Sequence, residues 1–225
     1  MLFGFEDPVY IISSYLLLTL AVFGIYEILS ILKHKSFLGK KHFSILRIDQ
    51  DVMGVNILEF LKGLKTPFAF EIAIHNIGRE VNYYIVLPKG KAKKLAKKEG
   101  VSETEDYHIF HQGGEHLGAY FKEGHTWPEM DLNKVDFSKV NDIGEGVVLQ
   151  MIFNRPPLKE RFKGKAVAAN FRLLVSAPSN YQAKEILNTV RAGFPEYGFV
   201  DVGGERFAHV VNFREFSSKE QMIWR

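Results

Sequence analysis

"FRLLVSAPSNYQAKEILNTVRAGF", residues 171–194, changes its period halfway along. The first part is strand-like and stops at Pro178, which has no N–H to donate to a ladder. Ser179 followed three residues later by Gln182 is a capping-box pattern, and it opens a helix. Ala183, Ile186, Leu187 and Val190 then share one stripe that Phe194 extends, while Lys184, Glu185, Asn188 and Arg191 face away and Gly193 with Pro195 closes the element. The Pro-Ser turn invites a reading as a reactive serine. Each residue is nevertheless accounted for by folding, so the stretch reads as a structural joint between strand and helix.

Outward from this joint, "GVVLQMIFN" (146–154), "ANFRLLVSA" (169–177) and "RFAHVVNFREF" (206–216) read as strands of the same unit. Nearer the N-terminus, "FSILRI" (43–48) has strand character and "NILEFLKGL" (56–64) has helical spacing. "FAFEIAIHN" (68–76) and "EVNYYIVLP" (80–88) read as strands turned at Gly78, "GKAKKLAKKEG" as a short helix, and "DYHIFH" (106–111) as a closing strand. Strand, helix, strand, strand, helix, strand is the split βαβ order of a ferredoxin-like unit. The expected class is therefore α+β, with two such units and antiparallel sheets.

Residues 9–32, "VYIISSYLLLTLAVFGIYEILSIL", carry one ionisable side chain, Glu27. As a helix they extend roughly 36 Å, enough for a bilayer. The fourteen Val, Ile, Leu and Phe residues in that run outweigh the roughly 3 kcal/mol that an acidic side chain costs on insertion. No Lys or Arg precedes the run, whereas Lys33, Lys35, Lys40 and Lys41 follow it, which places these lysines at the membrane interface and the N-terminus outside. The expected organisation is an extracytoplasmic N-terminus (1–8), a transmembrane helix (9–32), a basic linker (33–41), a first ferredoxin-like unit (42–112), a connector (113–143), a second unit (144–216) and a polar tail (217–225). The expected location is the cell's inner membrane, crossed once, with lipid as a partner and the bulk of the chain cytoplasmic.

The net charge of +3 does not by itself imply a nucleic-acid partner, and the lack of cysteine excludes disulfides, thiolate metal sites and cysteine nucleophiles. Charge is concentrated at Lys89, Lys91, Lys93, Lys94, Lys97 and Lys98. Three readings stand for this cluster: a solvated helix face, contact with anionic lipid, or contact with a nucleic-acid backbone. His108, His111, His116 and His125 with Glu115 suggest a metal site, but strand alternation sends His108 and His111 to opposite faces, so no metal is assigned. "YGFVDV" (197–202) looks like part of an RNA-recognition strand motif, but it lacks the central-strand context and reads as edge aromatics. No paired carboxylates, nucleophile elbow or serine with a histidine partner stands out. No catalytic residue and no cofactor are expected.

Several stretches, in order, resemble the membrane-proximal N-terminal region of type IV secretion or conjugation ATPases of candidate-phylum bacteria. They are the apolar run, "FSILRI", "FAFEIAIHN" with "NYYIVLPK", "MDLNKVDFSKVNDIGEGVVLQMIFNRP" and "NFRLLVSAPSNYQAKEILNTVRAGFPEY". In that family a P-loop motor follows. Here Gly39-Lys40, Gly90-Lys91 and Gly164-Lys165 lack both the following Ser or Thr and a glycine five positions earlier. The resemblance thus implies a docking or assembly part of a DNA- or protein-transfer machine rather than its ATPase. Its partners would be the motor or sister subunits, with self-association as a further expectation. The alternative is a tethered nucleic-acid binder that uses the Lys89 to Lys98 helix.

Overall fold

The computed structural model describes residues 8–35, 43–49, 60, 61, 63–75, 80–107, 113–122, 134–157, 160 and 166–224. The chain divides into two compact units, Met1–Phe37 and Leu38–Arg225. The first is helix α1, Pro8–Lys35. Its side chains from Ile12 to Ile25 are exposed, and Thr19 Oγ1 donates back to the Tyr15 carbonyl at 2.7 Å. Among the described residues no helix is long and apolar enough to cross a membrane. That corrects the expected single-pass transmembrane helix at 9–32, and with it the inner-membrane location. Lys40 and Lys41 lie outside the described residues, as do the side chains of Lys33 and Lys35.

The second unit is α+β. Its strands are β1 (Phe43–Ile48), β2 (Phe68–His75), β3 (Val81–Pro88), β4 (Val101–Thr104), β5 (Glu115–Phe121), β6 (Gly146–Asn154), β7 (Val167–Ala177), β8 (Phe199–Gly203) and β9 (Met222–Trp224). Helix α2 (Lys89–Leu95) follows β3, α3 (Asn180–Ala192) follows β7, and α4 (Glu205–Asn212) follows β8. The strands form one nine-stranded sheet in the order β4-β1-β3-β2-β6-β7-β5-β8, with β9 against β7, and the pairings are antiparallel. The expectation of two units, each with its own sheet, is corrected: β2 and β6 hydrogen-bond along their whole length, from Phe68↔Phe153 to His75↔Gly146, and fuse the halves.

Within that sheet the order repeats in mirror sequence, because β4-β1-β3-β2 on one side answers β8-β5-β7-β6 on the other, and each is the strand order of a split βαβ unit. Matching Pro88 with Pro178 maps β3 onto β7 with a shift of 90 residues (178 − 88). Val86 pairs with Ala69 and its counterpart Ser176 pairs with Gly146, so β2 maps onto β6 with a shift of 77 (146 − 69). Ile72 then maps onto Leu149, and these two residues face each other across the seam. A pseudo-twofold axis therefore passes between them.

Three segments differ from expectation for identifiable reasons. The closing strand of the first half is β4, upstream of "DYHIFH", because Gly100 (φ 69) turns the chain so that Val101–Thr104 pairs with β1. Asp106 and Tyr107 are not strand, and 108–111 lies outside the described residues. β5 falls inside the stretch expected as connector, where Leu117, Ala119 and Phe121 supply the alternation that its Gly and His residues obscure. The segment 206–216 holds α4 rather than a strand. Phe207, Ala208 and Val211 bury at helical spacing, and Glu205 sits in the first turn, where the helix dipole favours an acid. Of the helix expected at 56–64, Phe60 and Leu61 are helical, Gly63 and Leu64 form a turn and a bend, and the rest lies outside the described residues.

One sheet face is apolar. Phe70, Ile72, Ile85, Leu149, Met151, Phe171 and Leu173 meet Ala92 and Leu95 of α2 and Ala183, Ile186, Leu187 and Val190 of α3 in one continuous core. Phe121 and Phe171 stack with centroids 3.6 Å apart, and Phe194 meets both edge-on. The opposite face is where the polar chemistry lies.

Candidate functional site: a buried polar row and an exposed basic helix

Alternation along β2 sends Phe70 and Ile72 into the apolar core and turns Glu71 to the other face. Cross-strand register then lines up one polar row on that face. Arg47 pairs with Tyr84, Tyr84 with Glu71, Glu71 with Gln150, Gln150 with Arg172, and Arg172 with Tyr120. Glu71 and Arg172 are fully buried. Two buried charges in such a place require partners, since an unpaired one costs several kcal/mol.

The partners come from the C-terminal segment. Arg214 donates from Nε to Glu71 Oε1 at 2.9 Å and from Nη2 to Glu71 Oε2 at 3.0 Å. The same guanidinium reaches Asp106, with Nη2 to Oδ1 at 2.8 Å and Nη1 to Oδ2 at 3.2 Å. Gln150 Nε2 donates to Glu71 Oε1 at 2.8 Å and to the Val211 carbonyl at 2.7 Å, and the Tyr107 hydroxyl donates to Glu71 Oε2 at 2.9 Å. Tyr107 also stacks on Tyr84, with ring centroids 4.4 Å apart. Each Glu71 oxygen thus accepts two hydrogen bonds, which fills its lone-pair sites and leaves none to take a substrate proton.

Further along the row, Arg172 Nε donates to Glu220 Oε2 at 2.5 Å, Nη1 to Gln150 Oε1 at 3.3 Å and Nη2 to Asn170 Oδ1 at 3.4 Å. Asn170 accepts from the Ser217 amide at 2.7 Å and donates to the Ser217 carbonyl at 2.8 Å. Burial pulls the Arg172 pKa below its ordinary value, with Glu220 opposing that pull. For Arg214 burial pulls the same way, but Glu71, Asp106 and Tyr107 outweigh it and hold the guanidinium above its ordinary value. The Tyr107 phenol is held well above the ordinary tyrosine range by burial first and by Glu71 second. Arg214 adopts a left-handed backbone (φ 55), a conformation costing on the order of 1–3 kcal/mol in a non-glycine residue, which brings its fork over the row.

The row is a clasp that stitches residues 211–220 to the sheet and spans the seam between β2 and β6. Close approach of α4 completes it: a Cβ on Gly118 would lie 2.3 Å from Phe207 Cε1 and 2.7 Å from the Leu173 carbonyl. Sequence reading singled out none of Glu71, Gln150, Arg172 and Arg214. The available signal was a charged or amide side chain in the middle of each apolar strand: Glu71 in "FAFEIAIH", Gln150 in "GVVLQMIFN" and Arg172 in "VAANFRLLVSA".

The lysines picked out by sequence do come together, on α2 and the turn after it. Lys89, Lys93, Lys94, Lys97 and Lys98 are exposed. Lys91 is half-buried and donates to the carbonyls of Lys65 (2.8 Å) and Thr66 (3.1 Å). Of the histidines, 108, 111 and 125 lie outside the described residues, and His116 sits on β5. Among the described residues no group of three or more His, Cys, Asp or Glu could hold a metal ion. "YGFVDV" supplies β8, at the edge of the sheet and followed by a helix instead of the expected strand, so an RNA-recognition strand would still be in the wrong place. No family model, curated protein or solved structure matches the chain.

Proposed function

We propose that the chain is an assembly module of a type IV secretion or conjugation-like transfer machine, and that it docks on partner subunits through α1. The observation that carries this reading is the surface of that helix. Ile12, Tyr15, Leu16, Leu17, Leu18, Leu20, Val22, Phe23 and Ile25 are all large, apolar and exposed. A helix that is apolar on every side is stable only when another apolar surface covers it. The proposed cover is a helix of the same character in the motor ATPase or a sister subunit. The stretches that resemble the ATPase N-terminal region support the choice of machine, and the motor step is assigned in this reading to a partner subunit.

The test is co-expression of the full chain with a P-loop transfer ATPase from the same genome. A purified complex should form, and Leu16→Ser, Leu20→Ser and Phe23→Ser together should abolish it. A chain that purifies as a monomer, or one that binds the ATPase equally well with the three serines, contradicts the reading.

A further inference from the structure

We infer that α2 and its flanks form a docking surface for the phosphate backbone of nucleic acid, read without regard to base sequence. This goes beyond the assembly reading and rests on different residues. The fold's requirements at α2 are met by few of its side chains: Ala92 and Leu95 are buried, and the Lys91 ammonium holds the Lys65 and Thr66 carbonyls. Among the described residues Lys89, Lys93, Lys94 and Lys97 make no ion pair, and Lys98 lies 6.0 Å from the centre of the half-buried Phe60 ring.

Tertiary structure enlarges the patch. The loop entering β2 brings exposed Lys65 beneath α2, and exposed Arg155 follows the end of β6, which pairs beside the start of β2. Both sit close enough to oppose protonation of Lys91, whose pKa is lowered by burial first and by Arg155 and Lys65 next. Glu99 is the acidic residue in the segment.

The second half of the sheet is an internal control. Helix α3 occupies the position of α2, but it carries one exposed lysine, Lys184, and its other two charges are compensated: Lys139 pairs with Glu185 at 2.5 Å, and Arg191 with Asp201 at 2.6 Å. The same architecture therefore does not call for a run of like charge. Cations at the start of α2, which has no acid in its first turn and no side-chain cap, work against the helix dipole. A feature that opposes local stability without serving packing is where function is expected.

The chemistry of the patch selects the partner. It is dense in ammonium groups, and the Phe60 ring beside Lys98 is half-buried, so among the described residues it offers charge without an exposed stacking platform for bases. That suits the backbone of a duplex, where each phosphate neutralised adds about −0.9 to the slope of log K against log salt.

Fluorescence anisotropy of the full chain with a labelled mixed-sequence DNA duplex, titrated across salt, tests this. The expected slope is about −3 to −5. Changing Lys89, Lys93, Lys94, Lys97 and Lys98 to Gln should bring it close to zero and weaken low-salt binding at least tenfold, while Lys184→Gln on α3 should change neither. An unchanged thermal midpoint shows the five-site variant is folded; should it not fold, Lys94→Gln alone must still reduce the slope by about 0.9. A wild-type slope in the lysine variant, or binding to phosphatidylserine vesicles without binding to duplex, overturns the inference.

Discussion

The two halves of the sheet build the same joint twice and finish it differently. β3 runs into Pro88 and restarts as α2, while β7 runs into Ala177 and Pro178 and restarts as α3 on the same apolar face. Helix α3 has thirteen residues, four of them buried, and an N-cap at Ser179, whose Oγ accepts from the Gln182 amide at 3.3 Å and donates to Gln182 Oε1 at 2.6 Å. Helix α2 has seven residues, two buried side chains and no side-chain cap. One joint is made stable by its own sequence, whereas the other is held by the sheet beneath it and is left to carry charge. Repetition of a fold thus separates what packing requires from what it merely tolerates.

The largest expected effect lies where the halves meet. Arg214→Met leaves Glu71 buried with its main cation gone and should cost about 3–5 kcal/mol in chemical denaturation. Adding Glu71→Leu should recover most of that loss, because a paired charge can be replaced by apolar groups more cheaply than half of it can be removed. If the double variant is no more stable than the single one, the clasp is not organised around this pair.

Next comes a position where the halves diverge. Arg47 faces Tyr84 in the first half, and under the shift that matches the prolines its counterpart is Gly118, which faces Leu174. Arg47 is exposed, but Gly118 is covered by Phe207. Gly118→Ala should therefore cost about 1–3 kcal/mol by overpacking, while Arg47→Ala should leave the denaturation midpoint nearly unchanged.

A smaller effect belongs to the joints themselves. Ser179→Ala should cost about 1 kcal/mol, and Lys89→Ala at the corresponding place on α2 should not destabilise at all, since no side-chain cap is lost there.

The smallest effect at neutral pH concerns Tyr107. Its folded pKa is raised, so the stability it contributes is fully present below the ordinary tyrosine value near 10 and is lost as pH rises through the folded value, the unfolded chain releasing the proton first. Denaturation midpoints between about pH 8 and pH 11 should fall more steeply in the wild type than in Tyr107→Phe, with the tyrosinate absorbance that distinguishes the two proteins appearing only as the chain unfolds.

Much of this architecture is legible in the sequence because alternation is strong where one face is apolar, as in β2, β6 and β7, and because Pro178, Ser179 and Gln182 mark a boundary by backbone chemistry alone. β5 is obscured by its own glycine: Gly118 answers to the ring of Phe207, a neighbour 89 residues away in sequence (207 − 118). The segment 205–212 carries apolar residues at positions that suit strand or helix, and packing against β5 decides the matter. The polar row is a product of register, so Glu71, Gln150 and Arg172 look like isolated exceptions until cross-strand pairing aligns them. The lysine cluster is visible in sequence, but Lys65 and Arg155 join it only through the fold.

The account's central claim is that the two halves are one body, joined at the β2–β6 seam and locked by the polar row. Native-state amide hydrogen exchange of the full chain tests it most directly. The amides of β2, β3, β6 and β7 should open together at one shared free energy, the highest in the chain. Exchange of β1 to β4 at a clearly lower free energy than β5 to β8, with each half opening independently, would contradict it.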